Sequence, residues 1–162
     1  ESCRPPLPGF SGVAMPKTKP KALGTSWETA VVRYTRAQLG DERIERRALH
    51  GSKDMGDIHG LFAHGYEGII ECKRVRDMGA KALEEYQRQT LDERENADAD
   101  FALLVVKNFN HSVGEAFCWV TLRDLARIAL PLMVNGGWLD AADETWVCMP
   151  YSTACALMRG DR

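Results

Sequence analysis

No apolar run in the chain approaches the roughly 20 residues that a membrane-crossing helix needs, and no basic segment leads into an apolar one at the N-terminus. The expectation is a cytoplasmic protein with no membrane partner. Paired Cys-x-x-Cys spacing is also missing, because the five cysteines stand at 3, 72, 118, 148 and 155. That excludes a zinc ribbon, and the density is too low for a disulfide scaffold, so the thiols are expected reduced and mostly buried. Positive charge is not in surplus, with 21 Lys and Arg against 23 Asp and Glu. An anionic partner would have to be met by local clustering rather than by net charge.

What is present is ordinary globular composition, 44% hydrophobic and 27% charged over 162 residues, which suits one domain with a real core. Residues 1–21 hold five of the seven prolines together with Lys17, Lys19 and Lys21, and read as a flexible tail with Met15 the suspected native start. Residues 33–81 carry ten Lys and Arg against eight Asp and Glu, whereas 82–130 carry five against nine. The basic bias therefore falls in the segment that also holds the most suggestive acids. Arg46, Arg47, Lys53, Arg74 and Arg76, with the Ser52 hydroxyl, are the candidate phosphate contacts.

The chain is organised around Gly51 to Lys73. Ile69 to Lys73 has the pattern of a buried strand ending in charge, and side chains two apart on a strand share a face, so Glu71 and Lys73 point the same way. The Asp57 to Phe62 run would pair with it through a loop at Ala63-His64-Gly65-Tyr66, bringing Asp57 beside Glu71 and Lys73. Two carboxylates and an ammonium are costly to gather unless a cation binds there. Mg²⁺ takes oxygen ligands and keeps several waters, so Asp57, Glu71 and the Cys72 backbone carbonyl suit it, with Mn²⁺ able to substitute. Lys73 would then face a scissile phosphate and stabilise the charge developing on it. The competing reading is a solvated hairpin edge with a cross-strand ion pair.

The order Glu28 on a helix, Gly51-Ser52, Asp57-Ile58 and Glu71-Cys72-Lys73 resembles the PD-(D/E)xK nuclease superfamily, and within it the archaeal and phage type of Holliday-junction resolvase. The resemblance covers about residues 22–130. It implies an α/β, restriction-endonuclease-like fold: a central mixed sheet flanked by helices in the order αβββαβ. It further implies a Mg²⁺-dependent endodeoxyribonuclease acting in DNA recombination on branched DNA as a homodimer, with Glu28 reaching the metal site and Gln87 supporting it. Met55-Gly56 stands where the superfamily's name has a proline before the Asp, which leaves Asp54 as a rival to Asp57.

Around this core, the spacing predicts a helix from Thr25 or Ser26 to Leu39. There Glu28 has a second reading, as the acid of a Thr25-x-x-Glu28 capping box. An edge strand is expected over Arg43–Leu49, a helix from Ala80 to about Asn96, a central strand over Phe101–Lys107 and another over Ala116–Val120. Thr121-x-x-Asp124 caps a helix from Leu122 to Leu130, and Pro131 closes the nuclease core domain, 22–131. Residues 132–162 are an extension of unknown role, with a turn at Asn135–Trp138 and a strand at Glu144–Tyr151. The functional alternatives are a linear-duplex or repair nuclease, a non-catalytic DNA-binding protein on the same fold, and a plain interaction module.

Overall fold

Pro20 opens the first helix, α1 (Pro20–Leu39), several residues before the predicted start at Thr25 or Ser26. Proline is tolerated there because the first helical turn has no use for its missing N–H and the ring already fixes a helical φ. Thr25 is consequently interior to the helix, where its carbonyl accepts the Thr29 hydroxyl at 2.8 Å, so the Thr25-Glu28 capping box, the second reading of Glu28, is not formed. Gly40 ends the helix in the left-handed region with φ 66°. The structure, a computed structural model, describes residues 20–48, 54–129 and 144–160. All but the last two residues of the predicted 1–21 tail, and the turn at 135–138, lie outside them.

Among the described residues six strands form one sheet in sequence order: β1 (Glu45–Arg46), β2 (Ile58–Ala63), β3 (Tyr66–Lys73), β4 (Phe101–Val106), β5 (Phe117–Thr121) and β6 (Trp146–Pro150). The sheet is mixed, because β3 and β4 run parallel while every other pair is antiparallel. The parallel step needs a crossover, supplied by α2 (Ala80–Asn96) at the predicted position. The first six elements thus run α-β-β-β-α-β. β2 and β3 are joined by His64 and Gly65, both at positive φ (52° and 89°), the tight turn whose twist matches the strands it joins. β1 is the predicted edge strand reduced to two residues, too polar to extend its pairing.

Alternation along β3 and β4 places Ile70, Cys72, Leu103 and Val105 in the main core, packed with Trp27 and Val31 of α1. The described part of the segment beyond 132 belongs to the same body. β6 pairs with β5 from Phe117↔Pro150 to Thr121↔Trp146, and α4 (Tyr151–Arg159), not foreseen from the sequence, buries Tyr151, Ala154 and Met158 in that core. The Tyr151 hydroxyl and Thr35 Oγ1 lie 2.6 Å apart in the interior, tying α4 to α1. α3 (Leu122–Ile128) starts at the predicted cap, where Thr121 Oγ1 accepts the Asp124 N–H at 3.1 Å.

At Gly68 the two parallel strands approach so closely that an added Cβ would sit 2.2 Å from the ring of fully buried Phe101. Gly68→Ala is expected to cost about 1–3 kcal/mol through overpacking. Urea melts check this, and the cost should shrink when Phe101→Leu is added.

Candidate active site

The positions around Asp57 follow from the hairpin. Asp57 precedes β2, and its N–H donates to the Ile70 carbonyl at 3.1 Å, which sets the residue opposite the end of β3. Its Oδ2 accepts the Cys72 N–H at 2.9 Å. The residue before it, Gly56, has φ 83° and is buried against Ile69. A proline, locked near φ −65°, does not fit that backbone, which glycine adopts freely.

Glu71 and Lys73 emerge on the face opposite the main core, as their spacing requires. Glu71 is 4% exposed, and Lys73 Nζ donates to its Oε1. The Lys73 ammonium also lies 5.1 Å from the centre of the Tyr86 ring on α2. A third carboxyl completes the group. Glu93 of α2 is 4% exposed and hydrogen-bonded to Glu71, while its Oε2 is buried with no partner. On the remaining side, Glu28 of α1 accepts Arg46 Nε and Nη2 at 2.8 and 2.7 Å on one oxygen.

These acids perturb one another. Burial, then the charges of Glu71 and Glu28, push the Asp57 carboxyl up to about 7 against the lowering effect of the Cys72 N–H. Burial, then Glu71 and Asp54, push Glu93 up to about 9, although Lys73 opposes the shift. Burial and the neighbouring acids thus favour the protonated form of Glu93 at neutral pH. For Lys73, burial works against the charge, but Glu71 outweighs it and leaves the ammonium held more firmly than usual.

The donor set suits a hard divalent cation: the buried groups offered are carboxylate oxygens, and Glu93 Oε2 is an orphaned acceptor in a region short of positive charge. Among the described residues, no three His, Cys, Asp or Glu side chains converge closely enough to hold an ion unaided. Backbone oxygen, water or substrate oxygen would have to complete the shell, which is how Mg²⁺ is commonly held.

The remaining predicted site residues are dispersed. Arg46 is spent on Glu28 and is not the free phosphate contact expected of it. Arg47 points its Nη1 at the Met55 sulfur, 3.8 Å away, and lines with Arg46, Met55 and His59 a groove of about 440 Å³. Arg74 and Arg76 lie over Phe109, at 5.1 and 4.4 Å from the ring centre. Gln87 is half-buried on α2 and takes no part in the hydrogen bonds above. Asp54 is exposed, and only its carbonyl is engaged, by Asn96 Nδ2 at 2.9 Å. The Cys72 thiol is buried in the main core, where burial pushes its pKa well above the ordinary value, so only its backbone meets the acids. Ser52 and Lys53 lie outside the described residues.

Glu93 was not expected. It continues the inward line Tyr86, Thr90, Glu93 at helical spacing, so periodicity carried the signal, but an acid in a run as charged as Asp92–Glu95 reads as solvated. Comparison of the chain with protein-family models, with curated proteins and with solved structures finds no match. Among the described residues, no helix is long and apolar enough to cross a membrane.

Proposed function

We propose that this chain is a Mg²⁺-dependent endodeoxyribonuclease of the PD-(D/E)xK superfamily on a restriction-endonuclease-like core. Its substrate is branched DNA of the four-way-junction kind, and it acts as a homodimer, because symmetric cutting of a junction needs two sites. One observation carries the reading: Asp57 and Glu93 crowd Glu71, the carboxylate that holds Lys73, at the end of a buried strand pair, with more carboxyl groups than the local cations balance. So costly an arrangement is retained most readily where a cation and an anionic substrate relieve it.

In this reading Asp57 and Glu71, with the Cys72 carbonyl, hold the magnesium, and Glu28 assists from α1. The ion, or Mn²⁺ in its place, supplies Lewis acidity toward a phosphate oxygen and lowers the pKa of bound water. The Cys72 N–H fixes the Asp57 carboxylate, and Tyr86 and Glu71 fix the Lys73 ammonium. Lys73 orients the attacking water and stabilises the extra charge on the phosphate. Glu93, protonated, hydrogen-bonds Glu71 and holds its orientation.

The test offers a labelled four-way junction and a matched linear duplex to the protein, with Mg²⁺ and with chelator. Cutting is expected only with metal and preferentially on the junction, whereas equal cutting of the duplex would favour a repair nuclease on the same core. Asp57→Asn and Glu71→Gln should abolish it. Lys73→Met is expected to slow it by roughly 10²–10³-fold. Folded protein that binds DNA but cuts nothing under any metal condition would leave the non-catalytic reading standing.

A further inference from the structure

Immediately beyond the acids, the carboxyl ends of β3 and β4 carry a different kind of cluster. Arg74 and Arg76 follow Lys73, and Lys107 follows β4 with its N–H on the Lys73 carbonyl at 2.9 Å. All three cations lie within reach of one ring, Phe109: Arg76 at 4.4 Å, Arg74 at 5.1 Å and Lys107 at 5.8 Å from its centre, with Lys107 held between it and the nearer Trp27 ring at 4.6 Å. Among the described residues none of the three forms a salt bridge with an acid, whereas Arg36, Arg43, Arg46, Arg88 and Arg94 all do. The face of an aromatic ring attracts each cation but neutralises none, so three like charges share a small space without a counter-charge. A narrow groove of about 180 Å³ opens beside Arg74 and Lys107, walled by Leu23, Ser26, Trp27 and Ala30. Trp27 has already placed its N–H on the Val105 carbonyl at 3.5 Å, so it offers the groove no donor for reading a base.

We infer that Arg74, Arg76 and Lys107, mounted on Phe109, form the grip for the sugar-phosphate backbone of a DNA strand entering the acid centre. Lys107 and Phe109 are additions to the interface that the sequence did not suggest. The inference rests on the nuclease reading for the direction of the strand but not for its chemistry. Fixed cations without base-reading groups specify phosphate and shape, so the grip is indifferent to sequence. Its place at the carboxyl ends of a parallel strand pair, one residue past Lys73 and turned toward α1, sets the bound backbone at the same end of the sheet as the residues assigned to cleavage.

The experiment is DNA binding in chelator, where no cutting complicates the reading, by anisotropy of a fluorescein-labelled four-way junction and its matched duplex across a salt series. The triple variant Arg74→Gln, Arg76→Gln, Lys107→Gln is expected to bind at least tenfold more weakly and to flatten the slope of log affinity against log salt by about 2 to 3. Arg76→Gln alone should flatten it by about 1, which serves if the triple variant melts early, and Arg76→Lys should restore it. Arg88→Gln, a charge loss on the exposed face of α2, should leave the slope unchanged. An unchanged slope in both the triple and the single glutamine variants overturns the inference, as does full displacement of DNA by an equimolar amount of pyrophosphate, which would assign the cations to a small anion. If the wild-type chain cuts nothing yet the variants lose binding, the nuclease reading fails and the grip survives. If the wild type cuts and the variants bind and cut equally well, the grip fails alone.

Discussion

Asp124→Ala should lower the stability of the protein by about 3 kcal/mol, because it leaves the buried Arg94 with only the half-exposed Glu144, 3.5 Å away, as a counter-charge. Arg94 and Asp124 are 6% and 1% exposed. The guanidinium Nη1 of Arg94 donates to both Asp124 oxygens at 3.1 and 3.0 Å, and Oδ2 also accepts the Ala102 N–H at 3.0 Å. One carboxylate therefore pins α2, the start of β4 and α3 to one another. Burial alone pushes the Asp124 carboxyl up, and Arg94 with the Ala102 amide only partly draws it back. Such a pair contributes little net stability when intact, but losing Asp124 leaves the Arg94 charge buried with only the longer contact to Glu144. The double replacement Arg94→Met with Asp124→Leu is accordingly expected to recover much of the loss, and a chemical-denaturation cycle over the four proteins measures the coupling. Near-equal destabilisation by the single and double variants would contradict this account.

The second large effect is a gain. In chelator, Glu93→Gln is expected to stabilise the protein at pH 8 by on the order of 3 kcal/mol. Asp57 and Glu93 titrate at about 7 and about 9 when folded, against ordinary values of 3.8 and 4.5. Between the ordinary and the raised values the folded chain binds more protons than the unfolded chain, so stability falls as pH rises. The penalty is absent below about pH 4 and complete above about pH 9. Glutamine can keep the hydrogen bond to Glu71 and removes the titration, so the variant's stability should be flatter over this range. Saturating Mg²⁺ should raise the wild-type melting temperature more at pH 8 than at pH 5, because ligand binding to the folded state offsets the repulsion only where the acids are ionised. Melting curves at both pH values, with and without metal, decide the matter. A wild-type stability that stays level from pH 5 to pH 9 in chelator would show that the acids are not crowded as described.

The readable parts of the chain were those governed by neighbours in sequence. The β2–β3 hairpin was legible because two apolar runs flank the His64-Gly65 turn, whereas the register shift between Ile58 and Leu61, which lets both be buried with Ile70, left no mark in the alternation. The cap at Thr121 was legible because Thr-x-x-Asp satisfies amides within a single turn. The start of α1 was misjudged because Pro20 sits in a proline-rich stretch, where composition pointed to a flexible tail. Helix α4 was missed because its apolar residues follow β6 without a polar break, and only packing against α1 gives Tyr151 and Ala154 their place.

By itself the sequence determined that Glu71 and Lys73 share a face, that Asp57 closes on them through a short hairpin, and that a helix from Ala80 to about Asn96 precedes a buried central strand. Each depends on local periodicity and chain reach. The tertiary structure decided that Glu93 joins the acids, that Arg46 is spent on Glu28, and that Arg74, Arg76 and Lys107 converge on Phe109. Those contacts join elements distant along the chain, and a charge's partner depends on which surfaces the fold presses together, which no spacing within a single helix or strand records.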